Sequence, residues 1–114
     1  MKGIIWHNNN YSKGLEQLER IIKNYEQINI PIAQQHFTKI NTSVIFKNGD
    51  TWKVIAANEC SRGQRCNIAY IERNIDFNIY QTIICPTITA FPFSAIHLWG
   101  EGNLHLFAET PLPF

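Results

Sequence analysis

Apolar and polar positions alternate along this chain in short blocks whose period shifts between two and roughly four. "KGIIW" (Lys2 to Trp6) is a compact apolar run closed by the polar stretch "HNNNYSKG", which predicts a buried strand followed by a loop. Ser12 offers a helix N-cap, and Leu15, Leu18, Ile22 and Tyr25 then recur at helical spacing with Ile21 beside them. Glu16 with Arg20 and Glu19 with Lys23 add i,i+4 pairs on the solvent face. The pattern predicts a helix from about Ser12 to Gln27, ending before Pro31. Strand, polar loop and amphipathic helix together open an α/β unit.

"NTSVIFKNGDTWKVIAAN" carries the clearest local pattern, two apolar strands around Asn48-Gly49, and predicts a hairpin. Parity selects the loop. A two-residue turn would pair Phe46 with Thr51 and Val44 with Lys53, mixing polar and apolar residues on both faces. A three-residue loop of Lys47, Asn48 and Gly49 instead pairs Val44 with Trp52. Val44, Phe46, Trp52 and Val54 then share one face, and Ser43 and Lys53 the other. Gly49 falls on the left-handed position of such a loop. Ile45 and Ile55 are the apolar exceptions on the polar face.

"NIAYIE" (Asn67 to Glu72) reads as another short buried strand. Asp76 can cap a brief helix through about Ile84 that stops at Pro86, with a strand as the alternative for the same residues. "SAIHLWGEGNLHLFAE" repeats the hairpin logic around Gly100, Glu101 and Gly102. Ile96, Leu98, Leu104 and Leu106 take one face, while His97 lies opposite His105 on the other, beside Trp99. That face is expected to be exposed. Pro111 and Pro113 make the "TPLPF" tail extended.

Composition narrows the class. A chain of 114 residues, 45% of them apolar, has the size and content of one packed domain. A net charge of +1 supplies no global field toward nucleic acid or membrane, so any anion binding has to be local. "MKGIIWHNNN" lacks the apolar core of a signal peptide and no later run approaches a membrane span, so a cytoplasmic protein is expected. Three cysteines without an export signal are expected to be reduced.

"CSRGQRC" (Cys60 to Cys66) raises three chemistries. Five residues between the cysteines and no second cysteine pair argue against zinc, and the spacing is too long for a typical redox pair. The plain reading is two small, partly buried residues. Arg62, Gly63 and Arg65 carry more, because guanidinium forks and loop N–H groups suit phosphate or a partner's carboxylates. His97 and His105 would stand about 5 Å apart across the second hairpin. A metal there would need a third donor, such as Glu109 or His7, that nothing in the sequence fixes, so no metal site is assigned. Nucleophile, Walker A and H-E-x-x-H motifs are absent, which leaves no catalytic residues and no cofactor to assign. "HNNNYSKG" has the place of a phosphate loop, between a strand and a helix N-terminus, but not its glycines or its lysine.

From Val44 to Ile75 the order of features resembles the ATPase domain of phage terminase large subunits. The matching stretches are "IFKNGDTWKVIA", "SRGQR" and "IAYIER", which stand for a hairpin with "NG" at its tip, an arginine-glycine loop and a buried strand ending in acid. Arg73 follows Glu72 where that family has a second acidic residue, and the phosphate loop lacks its lysine. The resemblance therefore implies a P-loop-like α/β core that has lost hydrolysis. In overall style the chain also looks like the small proteins of phages and prophages of low-GC Gram-positive bacteria.

The fold expected is one α/β domain over residues 1–114, with α+β as the alternative. It would be a mixed sheet with one long helix, one short helix and two hairpins. The function expected is a non-catalytic, inhibitor-type binding protein of phage or mobile-element origin, acting in the host cytoplasm on a surface of a host or phage macromolecule. Arg62, Gly63, Arg65, Trp99 and Phe93 are the expected binding residues, with a protein as the first partner and no membrane. Trp99 on an outer face would need covering, and a homodimer through that face would supply it. The alternative is a nucleotide- or nucleic-acid-binding remnant that uses Arg62, Arg65 and the loop after the first strand.

Overall fold

The computed structural model describes residues 1–38, 42–58, 61, 63–88 and 96–104. Among them, six strands form one sheet: β1 (Lys2–His7), β2 (Ile32–Phe37), β3 (Thr42–Phe46), β4 (Thr51–Ala56), β5 (Ile68–Glu72) and β6 (Ile96–Trp99). Their order is β2-β3-β4-β1-β5-β6. Strands β4, β1, β5 and β6 run parallel, and β3 is antiparallel to both β2 and β4. The α/β class and the mixed sheet are as expected.

Strand β1 is central, which explains its unbroken apolar run: a parallel strand covered on both sides has no polar face to alternate with. Ile4 and Trp6 enter one core cluster and Ile5 the other. Helix α1 (Tyr11–Gln27) packs over β1 and β4, burying Gly14, Leu18, Ile21 and Tyr25. It approaches so closely that a Cβ on Gly14 would lie 2.8 Å from Val54 Cγ1. Its N-cap is Asn10 rather than Ser12, and no side chain caps it. Tyr25 fastens the far end. Its ring stacks on Phe46 at 3.8 Å, and its hydroxyl donates to Asp50 at 2.7 Å and accepts from Trp52 Nε1 at 3.2 Å. Burial alone would raise the Asp50 carboxyl. Hydrogen bonds from Tyr25, the Met1 amino group and Asn48 outweigh that and hold it below the usual carboxylate range.

The first hairpin forms with the three-residue loop. Val44 faces Trp52, Ser43 faces Lys53, Phe46 N–H donates to the Asp50 carbonyl at 2.8 Å, and Gly49 takes φ +93°. Val44, Phe46, Trp52 and Val54 are all buried beneath α1. Strand β2 was not expected. Its sequence, "IAQQHF", shows no alternation because its side chains are almost all exposed, and the backbone ladder to β3 holds it in place.

On the opposite side, Asp76 caps as expected, its carboxylate accepting from Asn78 N–H at 3.0 Å. The segment opens with one α-turn, α2 (Phe77–Ile79), widens to a π-helical turn over Tyr80–Ile84 and tightens to a 3-10 turn over Cys85–Thr87. Cys85 N–H donates to the Tyr80 carbonyl five residues back. Pro86 has no N–H with which to continue that ladder, so it stands within the last turn rather than beyond the helix. Tyr80 and Ile84 join Ile4, Trp6, Ala69 and Ile71 in this side's core.

Strand β6 keeps the expected parity, with Ile96, Leu98 and Leu104 against the Tyr80 side; on its other face His97 is exposed as expected, but Trp99 is not. Trp99 is only 8% exposed and belongs to the cluster under α1, which corrects the expectation of an outward-facing anchor. The cause is that β6 extends the parallel sheet beside β5, which brings Trp99 at its end into that cluster while His97 stays exposed. The returning strand of this hairpin, with His105, Leu106 and the tail, lies outside the described residues, as do Arg62 and Phe93. Among the described residues, no helix is long and apolar enough to cross a membrane.

Candidate anion-binding groove

The two sides of the sheet are covered unequally. Helix α1 spans the β1 and β4 side chains on one side, whereas the Phe77–Thr87 segment packs over β1 and β5 on the other. On that second side, among the described residues, no helix covers the outer strands. Lys53 is exposed, Ser43 half-buried and Ile45 37% exposed, with Gln34 and His36 of β2 exposed beside them. Ser61, Gly63, Gln64 and Arg65, between β4 and β5, form a wall at the edge of this shelf.

Shelf and wall enclose a groove along β4. One end is a cleft of about 560 Å³ that includes Asn9, Asn58 and Ser61, and the other is a cleft of about 420 Å³ that includes Lys2, Thr51 and Arg65. Both ends share Ser43, Lys53 and Gln64. The register places Lys2 beside Thr51 and Ser43 opposite Lys53, so hydroxyls and ammonium groups alternate along the floor. Lys2, Lys53 and Arg65 all line the smaller cleft. None of the three forms an ion pair among the described residues, and none of the described lining residues carries a carboxylate. Such a row attracts anions even though the net charge of the whole chain is close to zero.

Of the expected binding residues, Gly63 and Arg65 line this groove, with Gly63 at φ +86° and both exposed. Trp99 is in the core, and Arg62 and Phe93 fall outside the described residues. Sequence reasoning missed Lys2, Thr51 and Gln64. It did place Ser43 and Lys53 on a common polar face, and that parity was the usable signal.

The loop after β1 has a different occupant. Glu72, at the end of β5, is 3% exposed, and its carboxylate accepts from Asn8 N–H and from Asn10 Nδ2, each at 2.9 Å. Two donors that a phosphate at the start of α1 would use are therefore engaged by the chain's own carboxylate. His7, 4% exposed, accepts from Asn10 N–H at Nδ1 at 2.9 Å, so its neutral ring carries the proton on Nε2. That Nε2 has no partner among the described residues. Burial lowers the His7 pKa below its ordinary value, against the opposing pull of the Glu72 charge. The cluster closes the loop on itself.

Cys66 is buried, and burial raises its thiol pKa while a contact with Thr87 opposes the rise; Cys60 lies outside the described residues. His97 packs its ring against Tyr70 at 4.9 Å, and His7 is too deeply buried to serve as a third donor beside it. Among the described residues no three His, Cys, Asp or Glu side chains are grouped to hold a metal ion. No protein-family model matches the chain, and neither a curated protein nor a solved structure is significantly similar to it.

Proposed function

We propose that this chain is a non-catalytic binding protein that acts by occupying the phosphate-bearing surface of a nucleic acid. The observation that carries the reading is the row of Lys2, Lys53 and Arg65 along one groove, without a described carboxylate to neutralise it. Lysine ammonium groups neutralise phosphates as point charges, and the arginine fork can bind two phosphate oxygens at once. Ser43, Thr51 and Gln64 line the same cleft and supply neutral donors. A protein partner is less well supported, since Trp99 is buried in the core. A nucleotide at the start of α1 would meet the Glu72 carboxylate. A setting in a phage or mobile element, acting in the host-cell cytoplasm, belongs to the same proposal and rests on the sequence resemblance to terminase ATPase domains.

The test is fluorescence anisotropy with labelled oligonucleotides and, in parallel, labelled polyglutamate at low salt. Oligonucleotide binding should weaken at least tenfold in a Lys2→Gln/Lys53→Gln/Arg65→Gln variant. Equal affinity for polyglutamate, or an unchanged triple variant, would overturn the phosphate reading.

A further inference from the structure

We infer that the groove takes a single strand of nucleic acid, its backbone along the cation row and its bases laid across the shelf of β2 and β3. This rests on the function proposed above and narrows it to one class of ligand.

Chemistry is segregated across the groove. Lys2, Lys53 and Arg65 stand on the β1, β4 and wall side. Past Ser43, a further cleft of about 490 Å³ is lined by Gln34, Gln35, His36 and Ile45, which offer amides, an imidazole and an apolar side chain. Strand β2 lies two strands from β4, a separation of roughly 10 Å. That is about the reach from a phosphate to the far edge of its own base. A ligand whose charge runs along one side and whose flat, amide-bearing groups project from the other matches this division.

A duplex does not. It turns its phosphates outward and shows base edges only within its grooves, which the side chains of an open sheet face such as Gln34, His36 and Ile45 do not enter. A mononucleotide seated in the smaller cleft would meet the three cations but leave the larger cleft and the β2 shelf unused. No Trp, Tyr or Phe is among the described residues that line the three clefts. Base stacking, which dominates many single-strand binders, is therefore weak here, and phosphate contacts govern affinity. Three cations imply a slope of log K against log salt of about −2, since each phosphate neutralised on a single strand contributes about −0.7.

The experiment is anisotropy of the full chain with labelled strands of about 12 nucleotides, as single-stranded DNA, single-stranded RNA and the DNA duplex, titrated between roughly 20 and 200 mM salt. One or both single strands should bind at least tenfold tighter than the duplex, with a salt slope near −2. Lys53→Gln should remove about a third of that slope. His36→Ala and Ile45→Ala, both at exposed positions and both without change of formal charge, should weaken single-strand binding severalfold and leave duplex binding nearly as it was. Equal or tighter duplex binding, or shelf variants that bind like the parent, would overturn this inference while leaving the proposed function standing. Absence of binding to every oligonucleotide at the lowest salt would overturn both.

Discussion

Gly3 lacks a side chain because the Trp52 ring lies where one would go: a Cβ there would stand 2.4 Å from the indole. Nothing in "KGIIW" announces that constraint, since the partner is 49 positions away in a strand whose pairing with β1 is set only by the folded sheet. Gly3→Ala should cost about 1–3 kcal/mol, the usual range for overpacking a core, read as a lower urea midpoint at unchanged slope. His7 was equally opaque in the sequence. It looked like the first residue of a polar loop, yet it ends β1 beneath α1, where burial lowers its pKa. Its folded pKa is depressed, so below about pH 6.5, the ordinary value for an unfolded chain, the unfolded state takes up a proton that the folded state resists. The His7 contribution to stability is full above that pH and declines as pH falls toward the folded value. Urea midpoints measured from pH 7.5 down to pH 5 should fall more steeply for the parent than for His7→Gln.

Elements were legible wherever a solvent-facing side or a special turn left a pattern. Helix α1 betrayed itself by its buried Leu18, Ile21 and Tyr25, and the first hairpin by parity around Gly49. Strand β2 was illegible because its side chains face solvent and its place depends on pairing with β3. For β6, period two was read correctly, but a strand alone cannot tell whether its second face meets water or another layer. The neighbour decides, and β5 brings Trp99 under α1. Of the groove, the sequence exposed only the pieces that local rules govern, namely the basic loop and the Ser43–Lys53 face. Lys2 entered it through β1–β4 pairing across nearly half the chain.

At the scale of the molecule, the described residues form three layers at β1 and β5 and two at β3 and β4, and the groove is that step. Its cations repel one another and have no partners among the described residues. Replacing them should therefore leave the fold intact. The Lys2→Gln/Lys53→Gln/Arg65→Gln variant should unfold within about 0.5 kcal/mol of the parent, as surface changes usually do. A matching melting curve alongside lost oligonucleotide binding would separate recognition from folding in one comparison.

The central position of β1 also has a consequence for biogenesis. Its two neighbours, β4 and β5, emerge some 50 to 65 residues later in translation. At about 5–20 residues per second, the nascent chain carries an unpartnered "GIIW" for several seconds. Assembly must then join distant segments side by side, a slow arrangement for parallel pairing. During that interval the apolar run offers both edges to any chaperone, or any neighbouring ribosome's product, that reaches it first.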